Sequence, residues 1–383
     1  MSHSAIPLPD RFHSFIAISR SALRHNVQTL QSRLGVACRL AVPVKSNAYG
    51  HGVQAVIAAI DDLVDRYLVD DSLELLQTRA LTEKPIELLG FVSPEELDRV
   101  IFAGGVISLF DEIHAHDCAE WARANGCSLP VSLAVDLRFG REGIPVEQAP
   151  ALIRTILSSR HLSLQGIYGH FSCADADPDL AISREQLGLL KTVIESSGCA
   201  GITTHLFASS GVWAFDSLEP FGGVVRSGLS VYGLWPSPSL RMRAEARGHL
   251  LQPSLSWHSR IVQVKTVPAG FPIGYGRSFV TSRKTVLGLV PQGYGDGLPR
   301  SYANGGAVLV DGRQCRILGR ISMNMLTVDL TDTDTRAPGA SVIIIGQQGP
   351  AHISAEDHAA VSGTISYEVT TRINPMLPRH LVA

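Results

Sequence analysis

The stretch Ala41-Val42-Pro43-Val44-Lys45-Ser46-Asn47-Ala48-Tyr49-Gly50-His51-Gly52 decides how the rest of the chain is read. It is preceded by Cys38-Arg39-Leu40, so Cys38–Val44 is a mostly apolar run of the kind that forms a buried strand. The run stops at Lys45. A small polar segment follows, then Tyr49-Gly50-His51-Gly52, and from Val53 the apolar residues recur at helical spacing. A lysine at the carboxyl end of a buried strand has two readings. Partial desolvation can leave a free amine that condenses with aldehydes, which makes Lys45 a Schiff-base candidate. Alternatively its ammonium snorkels to the rim and serves only solubility. Pro43 lies inside this strand and cannot donate to a ladder, so a local irregularity is expected just before Lys45.

Working outward, strand-like runs alternate with helical patterns. The strand candidates are Cys38–Val44, Tyr67–Val69, Ile86–Gly90, Val106–Phe110, Val131–Asp136, Leu164–Gly169, Ile202–Phe207 and Val224–Val225. The helix candidates between them are Val53–Leu63, Ser72–Ala80, Pro94–Phe102, Glu112–Ala124, Pro145–Leu157 and Leu180–Ser196, with a weak one after Ser210. This alternation predicts an N-terminal (β/α)8 TIM barrel. An open doubly wound sheet is the competing architecture, but the glycine-rich turn it carries after its first strand is replaced here by Lys45. Ahead of the barrel, Met1–Phe12 reads as an irregular leader and Ser14–Ile18 as a short apolar run. Ser21 reads as an N-cap for a helix Ala22–Leu34 ended by Gly35. Near Leu250 helical periodicity stops and glycine-broken β runs follow: Ile261–Val267, Thr285–Pro291, Ala307–Val310, Leu326–Leu330 and Val342–Gly346. Residues 1–245 are thus expected to form the barrel domain with its leader, and residues 246–383 a C-terminal β domain.

The 383 residues are 45% hydrophobic and 18% charged, an ordinary globular composition with room for two domains. A formal net charge of −2 without a basic run argues against nucleic-acid binding. Cys38, Cys118, Cys127, Cys173, Cys199 and Cys315 are scattered, with no CxxC pair, so neither a metal site nor a disulfide framework is expected. The N-terminus lacks a signal-peptide pattern and no apolar run is long enough for a membrane span, which points to the cytoplasm.

If the barrel forms, its active site lies at the carboxyl ends of the strands, with phosphate favoured near strands seven and eight. Lys45 follows the first strand, DLRFGREG (Asp136–Gly143) the fifth, and His170 the sixth. Ser209-Ser210 follows the seventh and Arg226-Ser227-Gly228-Leu229 the eighth. One lysine, one histidine, two arginines and a phosphate-suited Ser and Gly would converge on one mouth.

The words around these residues carry a family resemblance from about Phe15 to Arg379. VKSNAYGHG, VRSGLSVYG, IGYGR (Ile273–Arg277), QGYGDGLPR (Gln292–Arg300), GRISMNM (Gly319–Met325) and SGTISYEV around Tyr367 resemble, in order, the motifs of the alanine racemases, fold-type III enzymes that use pyridoxal 5'-phosphate. The resemblance implies that Lys45 carries the cofactor and that Arg226 faces its pyridine nitrogen. His170 would stack on the ring. Ser209 and the backbone of Gly228 and Leu229 would hold the phosphate, with Tyr49 and Tyr367 adding hydroxyls. It also implies a two-base racemisation in which Lys45 serves one face of the substrate Cα and Tyr275 the other. Arg141 and the Met323 backbone would bind the substrate carboxylate, and Tyr294 would stand at the entrance. Tyr275 would come from the partner subunit of a head-to-tail homodimer, and the product, D-alanine, would feed a peptidoglycan precursor. Taken singly, without the motifs, core packing is the better reading of His170 and Tyr367, and a structural ion pair that of Arg226.

Three departures stand out. Where many members have a carbamylated lysine that orients the substrate arginine, this chain has Ala134, so Arg141 needs another partner, an anion such as chloride or a different side chain. The turn DLRFGREG replaces the usual DTGMGRLG. Asn324 stands where aspartate is usual. These leave open a broader or serine- or basic-amino-acid-specific racemase. A fold-type III decarboxylase and a non-catalytic carrier of the cofactor are weaker readings.

Overall fold

The computed structural model describes residues 13–34, 38–199, 201–218, 223–334 and 336–383. The leader Met1–Phe12 and the expected helix stop at Gly35 lie outside the described residues. The described residues divide into two compact units, one within Ala22–Ser46 and Ile57–Gln252, the other within 13–21, Asn47–Val56 and Pro253–Ala383.

The first unit is the barrel. Its eight strands are β1 (Arg39–Pro43), β2 (Arg66–Val69), β3 (Ile86–Leu88), β4 (Gly105–Leu109), β5 (Leu129–Asp136), β6 (Leu162–Tyr168), β7 (Thr203–His205) and β8 (Val224–Arg226). They pair in parallel in the order β8-β1-β2-β3-β4-β5-β6-β7. Closure between β7 and β8 is irregular. A parallel bridge joins Ala208 to Arg226, the Arg226 amide donates to the Phe207 carbonyl at 2.8 Å, and a Cβ on Gly223 would stand 2.6 Å from the Thr204 carbonyl oxygen. The strands are short and Val/Ile/Leu-rich because both faces are covered, one by the barrel interior and one by helices. Asp71 and Asp111 cap the helices Ser72–Arg79 and Glu112–Ala124 by accepting backbone N–H groups of their first turns.

Pro43 is the last residue of β1. The pairing of β8 with β1 ends two residues earlier, at Arg226↔Ala41, so the missing donor costs no ladder bond, while Val44 still donates to Leu68 at 2.8 Å. The irregularity lies just after the lysine rather than before it. Ser46, Asn47, Ala48 and Tyr49 all have φ of 53–54°, so Lys45–Tyr49 is a turn of left-handed helix. Left-handed α geometry costs roughly 1–2 kcal/mol per non-glycine residue, and runs of it are rare. Specific bonds hold the turn. Gly52 and His51 donate to the carbonyls of Asn47 and Ala48, the Asn47 side chain accepts from Val53, and the Ser46 amide donates to Glu74 Oε1 at 2.6 Å.

In the second unit the strand Phe15–Ser19 lies between Leu255–Arg260, antiparallel, and Arg379–Val382, parallel. The apolar run Ser14–Ile18 therefore belongs to the β-rich unit, not to the barrel; an isolated five-residue strand carries no signal of which sheet it joins. A three-stranded sheet (Gln263–Val267, Thr285–Val290, Leu326–Asp329) and a hairpin (Pro272–Ile273, Phe279–Val280) follow. The unit also holds two helices, Ala355–Ser362 and Ser366–Thr371, where the sequence suggested only strands. They are too short for a clear apolar period; the first is marked instead by the Ser354–Asp357 capping box.

Candidate active site

At the carboxyl ends of the barrel strands the structure brings together Lys45, Arg141, His170, Ser209 and Arg226. Lys45 Nζ donates to Asp70 Oδ1 at 2.8 Å. Asp70 follows β2, and its amide is held by Glu74 Oε2 while Ser46 holds Oε1. One carboxylate thus links the ends of β1 and β2 beneath the lysine.

Arg226, at the end of β8, is buried. Its Nη1 donates to His205 Nδ1 and to the His205 carbonyl, each at 2.7 Å. Its Nη2 donates to the Gly169 carbonyl at 2.7 Å and to His170 Nδ1 at 3.3 Å. All four Nη hydrogens are taken, which leaves Nε as the remaining donor. These bonds assign the tautomers. Both imidazoles accept at Nδ1, so both carry their proton on Nε2. Burial and the neighbouring guanidiniums of Arg226 and Arg141 push His170 down to about 3, so it stays neutral. Behind His205 lies Glu87 on β3, 1% exposed, with Oε1 3.3 Å from His205 Nε2 and Oε2 3.5 Å from Arg66 Nη1. Burial works to raise this carboxyl, but His205 and Arg66 outweigh it and hold it below the usual carboxylate range. Tyr168 stacks on His205 and lies under the Arg226 guanidinium.

Ser209 opens the short helix Ser209–Ala214. Its Oγ bonds to Ser227 Oγ at 3.1 Å and accepts from the Ser230 amide. The turn after β8 buries Gly228 and Leu229, and among the described residues their amides meet no acceptor. A hydroxyl beside two unsatisfied buried N–H groups suits a phosphate.

In the loop after β5, Asp136 accepts the amides of Phe139 and Gly140. The Arg141 guanidinium lies 4.5 Å from the Phe139 ring centre, and Phe139 meets His170 edge-on at 5.8 Å.

The other unit carries the remaining residues. Tyr275 is 67% exposed on a one-turn element between the two short hairpin strands. Gly274 (φ 76°) packs so closely on the next loop that a Cβ would stand 2.8 Å from the Arg320 amide. Tyr294 is exposed on a loop fastened to Gly319–Met325: its amide donates to Ser322, and Gly295 donates to the Met323 carbonyl at 2.7 Å. That bond occupies the Met323 carbonyl; among the described residues its amide has no acceptor. Asn324 Nδ2 lies 3.4 Å from Asp296 Oδ2 and donates to it, so an aspartate there would set two carboxylates against each other. The rings of Tyr49 and Tyr367 lie 6.2 Å apart, and Gly50 packs on the helix of Tyr367, where a Cβ would meet the Thr370 carbonyl at 1.9 Å.

Sequence reasoning passed over Glu87, His205, Asp70 and Glu142. Glu87 had a signal, a charged residue inside a strand that is otherwise apolar on both faces; His205 follows two threonines in its strand and had none. Asp70 and Glu142 lie in loops, where acidic residues are ordinary.

Comparison with known proteins agrees with this geometry. Residues 18–236 match the family model described as alanine racemase, N-terminal domain, and residues 254–381 the model of its C-terminal domain. The alanine racemase of Syntrophobacter fumaroxidans is 33% identical over 361 residues, covering 93% of this chain and 94% of that protein. The crystal structure of alanine racemase from D-cycloserine-producing Streptomyces lavendulae superposes with a TM-score of 0.89 at 30% identity, over 97% of each chain. That of Bacillus anthracis with bound L-Ala-P gives 0.90 at 26% identity, over 98% of this chain and 96% of that one. With both domain models matched in order along nearly its whole length, this chain belongs to the alanine racemase family.

Proposed function

We propose that this chain interconverts L- and D-alanine with pyridoxal 5'-phosphate by a two-base mechanism. The observation that carries the reading is the coincidence, at one barrel mouth, of Lys45, an Arg226 with only Nε left to donate, and the Ser209–Gly228–Leu229 cradle. The family depends on this cofactor, and the residues fit it. The orphan amides and Ser209 suit its phosphate, Arg226 Nε its ring nitrogen, neutral His170 its ring face and Lys45 its aldehyde, with Tyr49 and Tyr367 as further hydroxyl donors. When bound, the cofactor supplies an electron sink for negative charge at the substrate Cα.

Arg226 keeps its proton, so it can donate a hydrogen bond to the ring nitrogen but cannot protonate it. That limits the sink and favours quick return of a proton to Cα over transamination. Arg141 and the free Met323 amide bind the substrate carboxylate, and Tyr294 lines the way in. Tyr275 removes the α-proton of the L-enantiomer, and Lys45 Nζ returns a proton on the opposite face; the reverse reaction exchanges the roles. Tyr275 is supplied by the partner subunit of a homodimer. The enzyme acts in the cytoplasm and provides D-alanine for peptidoglycan.

Solvent deuterium incorporation at Cα, followed by NMR with chiral analysis, tests the reaction. L-alanine is expected to exchange and invert, while L-serine, L-lysine and L-arginine run in parallel to set the range. Carbon dioxide release without inversion would replace the reading with decarboxylation. Lys45→Ala is expected to abolish turnover in both directions together with the visible absorbance of the bound cofactor. Tyr275→Phe keeps that absorbance and loses about 10²–10⁴-fold in conversion of L-alanine. Mixing these two inactive variants tests the shared site: if Tyr275 crosses to the partner, random re-pairing restores about a quarter of the sites. No recovery after verified exchange of subunits means each chain uses its own tyrosine.

A further inference from the structure

Arg141 and Glu142 are neighbours in the loop after β5, and their side chains turn to the same pocket, which Ala134, Phe139 and His170 also line. Glu142 accepts from Arg141 twice. Nε donates to Oε2, and Nη2 donates to Oε1 at 2.6 Å. A guanidinium has two forked edges, one formed by Nε and Nη2 and one by the two Nη groups. Glu142 fills the first. The outer edge, with both Nη1 hydrogens and the second on Nη2, stays available for a carboxylate. Phe139 lies against the guanidinium and sets its plane.

The loop itself is held firmly. Asp136 accepts two of its amides, Ile144 pairs with Val135, and Gly143 (φ 115°) approaches so closely that a Cβ would stand 2.7 Å from the Asp136 amide. Burial works to raise the Glu142 carboxyl, and Arg141 outweighs it, so the group is held below its usual range and stays ionised. A half-exposed ion pair contributes little to stability, so the pair is not there to hold the fold.

We propose that Glu142 is the positioning residue that clamps Arg141 for the substrate carboxylate, an anion built into the chain beside the apolar Ala134. The proposal rests on the reading that Arg141 binds that carboxylate. Because the clamp is covalently part of the loop, the enzyme needs no anion from solution.

The test uses the cofactor-loaded enzyme and its E142A, E142Q and R141K variants, with cofactor absorbance confirming an intact site. KM and kcat for both enantiomers are measured in chloride and in gluconate, with and without added formate. Wild-type KM is expected to be the same in both salts. E142A is expected to raise KM roughly ten-fold for both enantiomers in gluconate, with kcat less affected, and chloride or formate to recover part of the loss. E142Q, which keeps the shape but not the charge, is expected to fall between. An unchanged KM in both Glu142 variants overturns the proposal, as does a chloride dependence already present in the wild type. R141K separates the two layers: if it leaves KM unchanged, the role given to Arg141 fails, whereas a raised KM in R141K with normal Glu142 variants rejects only the clamp.

Discussion

Arg226 shows how a single side chain is specified by residues behind it. Four of its five N–H groups are fixed by His205, Gly169 and His170, and His205 is in turn backed by Glu87. Glu87 lies against neutral His205 and Arg66 and is the carboxylate that offsets the guanidiniums of Arg66 and Arg226. Removing the charge there leaves buried cations uncompensated, which costs about 3–5 kcal/mol, more than the pair contributes as a whole. Glu87→Leu is therefore expected to lower unfolding free energy by about 3 kcal/mol in a denaturant titration, and Glu87→Gln by clearly less, since the amide keeps a polar oxygen facing His205 Nε2. Equal stability of Glu87→Leu and the wild type would mean that Arg66 and Arg226 find other partners.

The left-handed turn Lys45–Tyr49 sets the direction in which the chain leaves β1, and its cost is local. Ser46 is exposed and has φ of 53°, so its contribution can be tested without disturbing the core. Ser46→Gly is expected to keep or raise the melting temperature, gaining up to about 1 kcal/mol, whereas the β-branched Ser46→Val lowers it. Loss of stability in Ser46→Gly would show that the turn carries no strain at this position. No periodicity announces such a turn, because Ser, Asn, Ala and Tyr are each compatible with right-handed helix or loop. What was legible was its place, the abrupt end of an apolar run at Lys45. The barrel strands were legible for the same reason, as runs such as Val131–Asp136 and Val106–Phe110 are mostly apolar, with no helical spacing. The strand Leu255–Arg260 was not. Its sequence, LSWHSR, mixes buried polar residues with Trp257 and gives no clean alternation. Glu142 was read past because its meaning lies in the direction of one neighbouring guanidinium, which spacing does not encode.

Across the whole molecule the buried histidines make stability depend on acid. Burial pushes His51, His258 and His358 down to about 4, against an ordinary value near 6.5. Their folded pKa values are depressed, so the unfolded chain binds more protons between these limits and stability falls as pH drops from about 6.5 toward 4. Each histidine contributes at most about 3 kcal/mol to that loss. Urea unfolding at pH 7 and pH 5 is expected to show it, and His358→Gln to show a shallower slope; a flat profile above pH 5 would mean that the histidines are protonated without penalty. The strand Phe15–Ser19 has a consequence of another kind. Its partners, Leu255–Arg260 and Arg379–Val382, are made about 240 and about 360 residues later. At roughly 5–20 residues per second, synthesis leaves the strand without either neighbour for roughly 10–50 s and without the second for longer still. During that interval a segment with four apolar residues in a row, Phe15-Ile16-Ala17-Ile18, stands with both edges open. During synthesis this strand thus needs shielding until Arg379–Val382 has emerged.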